Sequence, residues 1–159
     1  MSTRIISILL ENHHGALSRV AGLFSSRGYN ISSLTVAETE DPTVSRMTIV
    51  VEGEAGILEQ IVKQLNRLID VIKVIDMGER EVVERELVLV NIDSTKANRH
   101  EFVEIASIFG AKIVSVTSGS ITLELGGEKR TVEDFIALVK PYGIRELVRS
   151  GTIAISQRK

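Results

Sequence analysis

The sequence contains no cysteine and no tryptophan. Without thiols there is no disulfide, no thiolate metal site and no cysteine nucleophile. Aromatic residues make up only 4% of the chain, which argues against a base-stacking platform for single-stranded nucleic acid. Neither sign of charge is in excess: 19 Lys and Arg stand against 21 Asp and Glu. That balance argues against the concentrated basic face that DNA, RNA or another polyanion requires. No apolar run approaches the length of a transmembrane helix, and the short one within residues 1–10 lacks a cleavage-site pattern. Also missing are a P-loop, a dinucleotide fingerprint, a G-x-S-x-G elbow, an evident Ser-His-Asp arrangement and a helix-turn-helix. A cysteine-free chain without a leader fits a reducing compartment, so a cytoplasmic protein is expected, with neither nucleic acid nor membrane as partner.

What is present is periodicity. Hydrophobic residues form 43% of 159 residues, ample for one medium core or two small ones. Ile6, Ile8 and Leu10 alternate with Ser7 and Glu11, the pattern of a half-buried strand over residues 4–11. Leu17, Val20, Ala21 and Phe24 then fall at helical spacing, and Gly28 ends that helix. Residues 30–38 and 44–51 read as strands about an Asp41-Pro42 turn. Ile57, Leu58, Ile61, Leu65 and Leu68 mark a second helix, and residues 71–75 a fourth strand whose buried face is ambiguous.

The order β-α-β-β-α-β then recurs. Residues 86–92 form a strand, and Phe102, Ile105, Ala106 and Phe109 a helical face. A hairpin turns at Ser118-Gly119. Val132, Phe135, Ile136 and Val139 stripe a last helix, with Thr131 as its N-cap and Pro141 and Gly143 as its stop. Gly126-Gly127 reads as a turn, and strand segments 144–148 and 152–155 are broken by Ser150-Gly151. The expected fold class is α+β, two ferredoxin-like βαββαβ units in tandem: residues 4–78, a charged linker at 79–84, and residues 85–159. Each unit leaves a sheet face and an edge strand to be covered, and edge pairing with a second copy predicts a homodimer.

One stretch carries chemistry. Glu11-Asn12-His13-His14-Gly15-Ala16-Leu17 runs from a strand through a polar loop into a helix, and Arg27-Gly28-Tyr29-Asn30-Ile31 returns the chain to a strand. A helix start leaves backbone N–H groups unpaired at the positive end of the helix dipole, which suits a carboxylate. Glycine at position 15 lets a ligand approach the backbone. Asn12 and Asn30 offer amide oxygens to an ammonium group. Carboxylate and ammonium recognition beside apolar side chains describes a site for a free amino acid. Each residue alone also has a plainer reading: Asn12 as a helix cap, Asn30 as a turn residue.

The segments Gly15-Ala16-Leu17-Ser18-Arg19, Gly22-Leu23-Phe24-Ser25, Arg27-Gly28-Tyr29-Asn30-Ile31, Ser33-Leu34-Thr35-Val36-Ala37 and Ser45-Arg46-Met47-Thr48-Ile49 resemble the N-terminal ACT domain of bacterial acetohydroxyacid synthase small subunits. Val83-Glu84-Arg85-Glu86-Leu87 and Arg149-Ser150-Gly151 extend the resemblance over essentially the whole chain. It implies a non-catalytic regulatory subunit, with the first unit an ACT domain. The catalytic large subunit would hold thiamine diphosphate, Mg and FAD, with no cofactor in this chain. The small subunit would raise the large subunit's activity and confer feedback inhibition by a branched-chain amino acid, foremost valine. The effector would sit at a dimer seam, with Asn12, Gly15, Ala16 and Leu17 from one chain and Asn30 and Ile31 from the other. Ile31 with Leu17 or Leu34 would meet its side chain. One methylene in an apolar pocket changes binding by only about 1–3 kcal/mol, so valine, leucine and isoleucine should be graded ligands.

His13-His14 departs from the resemblance. Neighbouring histidines rarely converge on one ion and no clustered third ligand is evident, so the pair reads as a solvated loop and no metal is expected. Glu38, Glu40 and Asp41 read as a solvated acidic turn, and His100 as a surface residue. Arg19, Arg27 and Arg46 read either as surface charges or as contacts to the large subunit.

Overall fold

The structure is a computed structural model and describes residues 2–78, 80–95 and 99–157. The chain divides into two compact units after Val83, and the segment from Thr152 onward groups with the first.

In the first unit, β1 (Ser2–Glu11), α1 (Ala16–Ser25), β2 (Asn30–Glu38), β3 (Val44–Gly53), α2 (Ala55–Leu65) and β4 (Val71–Asp76) follow in order. They build an antiparallel sheet of order β2-β3-β1-β4, the split βαβ arrangement expected from the sequence. Ile6 and Ile8 stand opposite Ile49 and Met47. Val20 and Phe24 of α1 and Leu58, Ile61 and Leu65 of α2 close the core over them, one stripe per helix at i, i+3, i+4 spacing. Phe24 is fully buried. Phe24→Ala is expected to destabilise the protein by about 3–5 kcal/mol, read as a lower urea midpoint in equilibrium unfolding.

The ambiguous face of β4 has a cause. Its register on β1 shifts between Leu9 and Leu10, so that Val71 opposes Leu10 while Val74 opposes Ile8. One extra residue brings both valines against the core and leaves Ile72 exposed, which breaks strict alternation. At the end of α1, Gly28 adopts φ +70°. The Gly28 N–H donates to Ser25 O (3.3 Å) and the Tyr29 N–H to Phe24 O (3.4 Å), a Schellman closure that needs this glycine.

The second unit holds β5 (Val82–Asp93), α3 (Arg99–Phe109), β6 (Lys112–Val116), β7 (Ser120–Gly127), α4 (Lys129–Val139) and β8 (Ile144–Arg149), with sheet order β6-β7-β5-β8. Val88, Val90 and Ile92 pack under Phe102, Ile105, Phe135 and Val139.

Four sequence expectations are corrected. The linker at 79–84 is cut short because β5 already begins at Val82. Its charges obscure a real alternation, and Glu86, two residues past it, is buried and gripped by both Arg149 Nε and Nη2, the latter at 3.0 Å. Thr131 is not the N-cap of α4: Glu128 holds that position in extended backbone, one residue before Lys129. Gly126 and Gly127 are not a turn but extend β7 opposite Leu87 and Glu86. Finally, β9 (Ile153–Ser156) pairs with β5 as the fifth strand of the second sheet, as expected of that segment, yet from Thr152 onward the chain groups with the first unit. Gly151 at φ +86° redirects the chain. The Thr152 N–H then donates to Ser33 Oγ (2.8 Å), Thr35 Oγ1 donates to Thr152 O (3.2 Å), and the Gln157 N–H donates to Glu81 O (2.8 Å). On the face of the first sheet opposite its helices, Ser7, Thr48 and Val50 are buried. Among the described residues no helix is long and apolar enough to cross a membrane.

Candidate functional site

The loop from β1 into α1 is held from outside. The Glu11 N–H donates to Asp70 O (2.8 Å) and the Asn12 N–H to Thr43 O (2.8 Å). Gly15 is the N-cap at φ +83°, and no side chain caps the helix. The Ala16 N–H makes a long bond to His13 O (3.4 Å), whereas the N–H groups of Gly15, Leu17 and Ser18 have no acceptor among the described residues. Three free donors at a helix start form an anion-receiving surface. Relative to the sequence reading, Ser18 joins this set and the buried Ala16 has its donor partly satisfied.

Asn12 is oriented by its own amide. Nδ2 donates to Glu38 Oε1 (3.0 Å) and to Pro42 O (2.9 Å). Both donors are therefore used within the chain, and Oδ1 is left as the acceptor. Asn30 opens β2 opposite Glu52, and Ile31 stands opposite Val51. Asn30 is exposed. The two asparagines are not neighbours in one chain. Asn12 follows Glu11, which faces Val44 at one end of β3, while Asn30 faces Glu52 at the other. Eight strand residues separate those ends, about 27 Å at about 3.4 Å per residue. Between them, the outer edge of β2 has no strand partner among the described residues. Leu17, Leu34 and Val36 are exposed on the same unit.

The histidines separate in role. His14 has no resolved polar contact of its ring, but His13 belongs to a cluster that sequence inspection missed. Its Nε2 lies 2.8 Å from Asp70 Oδ1 and 3.2 Å from Glu11 Oε2, and its Nδ1 lies 3.2 Å from His14 O. The expectation that no third group stands near the histidines is therefore corrected: two carboxylates do, because the α2–β4 turn delivers Asp70 to the end of β1. Glu11, His13 and Asp70 place possible ligand atoms within 4.8 Å of one another. Asp70, however, is already gripped by Arg19 through Nε and through Nη2 at 3.2 Å, so the cluster is an ion-pair network. The Arg19 hydrogen bond, aided by the Arg19 and His13 charges, holds Asp70 below the usual carboxylate range. The His14 carbonyl, with Glu11 and Asp70, raises His13 above its ordinary value.

Arg19 is thus an internal strut, as is Arg46, whose Nη1 donates to Ser7 Oγ (2.6 Å). The acidic turn is ordered by Asp41, which accepts from the Thr43 N–H (2.9 Å) and Oγ1 (2.7 Å). The one sequence signal for the cluster was an aspartate set between Ile69 and Val71 in an otherwise apolar run.

A ferredoxin-like unit with an anion-receiving β1–α1 loop and a free β2 edge is the architecture of a regulatory ACT domain, and residues 6–73 match the family described as an AHAS small subunit-like ACT domain. Residues 85–158 match the family described as the small subunit of acetolactate synthase. An acetolactate synthase small subunit from Haemophilus influenzae is 52% identical over 155 residues, covering 97% of this chain and 95% of its own. The acetolactate synthase isozyme 3 small subunit of Escherichia coli K12 is 48% identical over 155 residues, covering 97% and 95%. The crystal structure of the Thermotoga maritima acetolactate synthase small subunit matches with a TM-score of 0.91 at 34% identity, covering 100% of this chain and 99% of that one. The chain belongs to the acetolactate synthase small-subunit family. That membership gives it a regulatory role beside a catalytic large subunit.

Proposed function

We propose that this chain is the non-catalytic subunit that raises the activity of an acetolactate synthase large subunit and makes it sensitive to valine, in the cytoplasm. Thiamine diphosphate, Mg and FAD then belong to the large subunit. The observation that carries the effector part is the polarity of the β1–α1 loop: free N–H groups at Gly15, Leu17 and Ser18 for the carboxylate, and a pinned Asn12 whose Oδ1 faces no internal donor.

Asn12 and Asn30 lie at opposite ends of the sheet, and a second copy reconciles them. Antiparallel pairing of β2 with its own copy about Leu34 sets Asn30 of one chain opposite Glu38 of the other. Glu38 is the residue that Asn12 already holds. The copy's Asn30 and Ile31 then complete a site begun by Asn12 and Gly15, and the exposed Leu34 and Val36 become covered. The homodimer is therefore part of the same reading.

Reconstitution tests the whole. The isolated chain should form no acetolactate from 2-oxo acids. Added to its large subunit it should raise turnover, and valine should lower that turnover, with leucine and isoleucine graded below or beside it. A mixture with neither effect refutes the assignment. Within the site, Asn30→Ala removes a hydrogen bond to a charged group, worth about 1.5–3 kcal/mol, or about tenfold or more in affinity. Calorimetry with valine reads this directly, and an unchanged affinity removes Asn30 from the site.

A further inference from the structure

Asp70 lies outside the proposed effector site, yet it contacts Glu11, His13 and Arg19 around the effector loop. Its side chain is 3% exposed, so a ligand arriving from solvent cannot reach it. Its carboxylate is engaged by two cations of the loop, Arg19 from the first turn of α1 and His13 from the loop itself. Its carbonyl accepts the N–H of Glu11, the last residue of β1. One residue of the α2–β4 turn therefore holds the strand end, the loop and the helix start together.

Beyond the anchoring of Asn12 to Thr43, Glu38 and Pro42, the loop has little else to fix its shape. Gly15 stands at φ +83° with no side-chain cap on α1, and an uncapped glycine is conformationally permissive. A Cβ at Gly15 would lie 3.3 Å from Arg19 Nη1, so the guanidinium held by Asp70 forms the floor on which the loop rests. The surroundings of His13 are one-sided. Both ring nitrogens meet only acceptors: the His14 carbonyl at Nδ1, and the Asp70 and Glu11 carboxylates at Nε2. A neutral imidazole has one donor and one acceptor nitrogen, whereas imidazolium has two donors. The geometry fits the doubly protonated ring.

We propose that Asp70 is a positioning residue for the amino-acid site: through Arg19 and His13 it holds the Gly15 loop in its carboxylate-receiving shape and ties effector affinity to the protonation of His13. This rests on the effector reading above. With His13 protonated, Arg19 and His13 balance Glu11 and Asp70. With His13 neutral, the cluster beside the free N–H groups carries a net negative charge; the other ionisable side chains at the loop are His14 and, from β2, Glu38, which Asn12 Nδ2 holds at 3.0 Å. A carboxylate ligand binds less well to the second state. The sign follows from the groups: His13, raised above 6.5, contributes fully below that value and loses its contribution as pH rises through its raised one. Asp70, held below 3.8, stays ionised throughout.

The test is calorimetry of the full-length protein with valine at pH 6 and pH 8.5, alongside NMR titration of the His13 ring. In the wild type, valine should bind several-fold more tightly at pH 6, a tenfold change corresponding to about one unit of pKa rise on binding. Asp70→Asn should bind at least about tenfold more weakly at pH 6, flatten the pH dependence and move the His13 titration down. His13→Gln should flatten the dependence, and Arg19→Lys should weaken binding while keeping it. A folded Asp70→Asn protein with wild-type affinity and pH dependence overturns the inference. Should Asp70→Asn fail to fold, wild-type affinity in Arg19→Lys or a retained pH dependence in His13→Gln overturns it instead. Wild-type protein that binds no branched-chain amino acid at either pH refutes the effector reading and this inference with it, whereas tight binding without pH dependence refutes this inference alone.

Discussion

Gly15→Asp is expected to abolish the valine response of the reconstituted enzyme while the small subunit stays folded. Three effects act in the same direction. The new carboxylate would stand among the N–H groups meant for the effector's own carboxylate. Two like charges about 4 Å apart repel by about 4 kcal/mol at an effective dielectric of about 20, roughly a thousandfold in affinity. The backbone at φ +83° disfavours a side chain, although aspartate tolerates the left-handed region better than most residues. The new carboxylate would also compete for Arg19, whose guanidinium lies 3.3–3.6 Å from the Cβ position, and draw it from Asp70. Gly15→Asn is the control, since it keeps the size and the tolerance of positive φ without the charge. Inhibition curves for the two variants should differ widely, with the asparagine protein weakened but responsive. Wild-type valine sensitivity in Gly15→Asp would show that this loop does not hold the effector.

The same region shows how far a sequence can be read. The first strand, both helices of each unit and the βαββαβ order were legible because their apolar residues repeat at 2 or at 3.6, and only one packing satisfies each period. Gly15 and Asn12 were legible because loop chemistry is local. Where the reading failed, the determinant was distant. The face of β4 is decided by a bulge against Leu9 and Leu10, and the grouping of β9 with the first unit by hydrogen bonds from Thr152 to Ser33 and Thr35, more than a hundred residues away. Asp70 was missed for the same reason. Its partners lie 51 positions before it at Arg19 and further still at His13, and an isolated acid before a strand looks like any turn residue. Thr131 failed differently: a good capping residue was present, but Glu128 in extended backbone opened the helix three residues earlier.

Leu34→Lys is expected to convert the dimer to a monomer and to remove valine binding in the same step. Leu34 is the midpoint of β2, between Asn30 and Glu38, and in the antiparallel pairing proposed above it faces its own copy. Lysine at that position sets like charges directly opposite each other across the strand pair, which is destabilising, and charge on a strand edge is a common device against edge association. The residue is more than a third exposed in the single chain, so the folded unit should survive the change. Sedimentation or light scattering reads the mass, and calorimetry the affinity. The link between the two readouts is what matters: Asn12 and Asn30 are about 27 Å apart in one chain, so a monomer holds two half-sites and no whole one. Leu34→Glu alone should act in the same way, and mixing it with Leu34→Lys should restore a dimer, since the two charges then attract across the seam. That mixed dimer should bind valine again at seams where each chain supplies its half. A monomeric Leu34→Lys protein that retains wild-type valine affinity would place the whole site within one chain and separate it from the β2 edge.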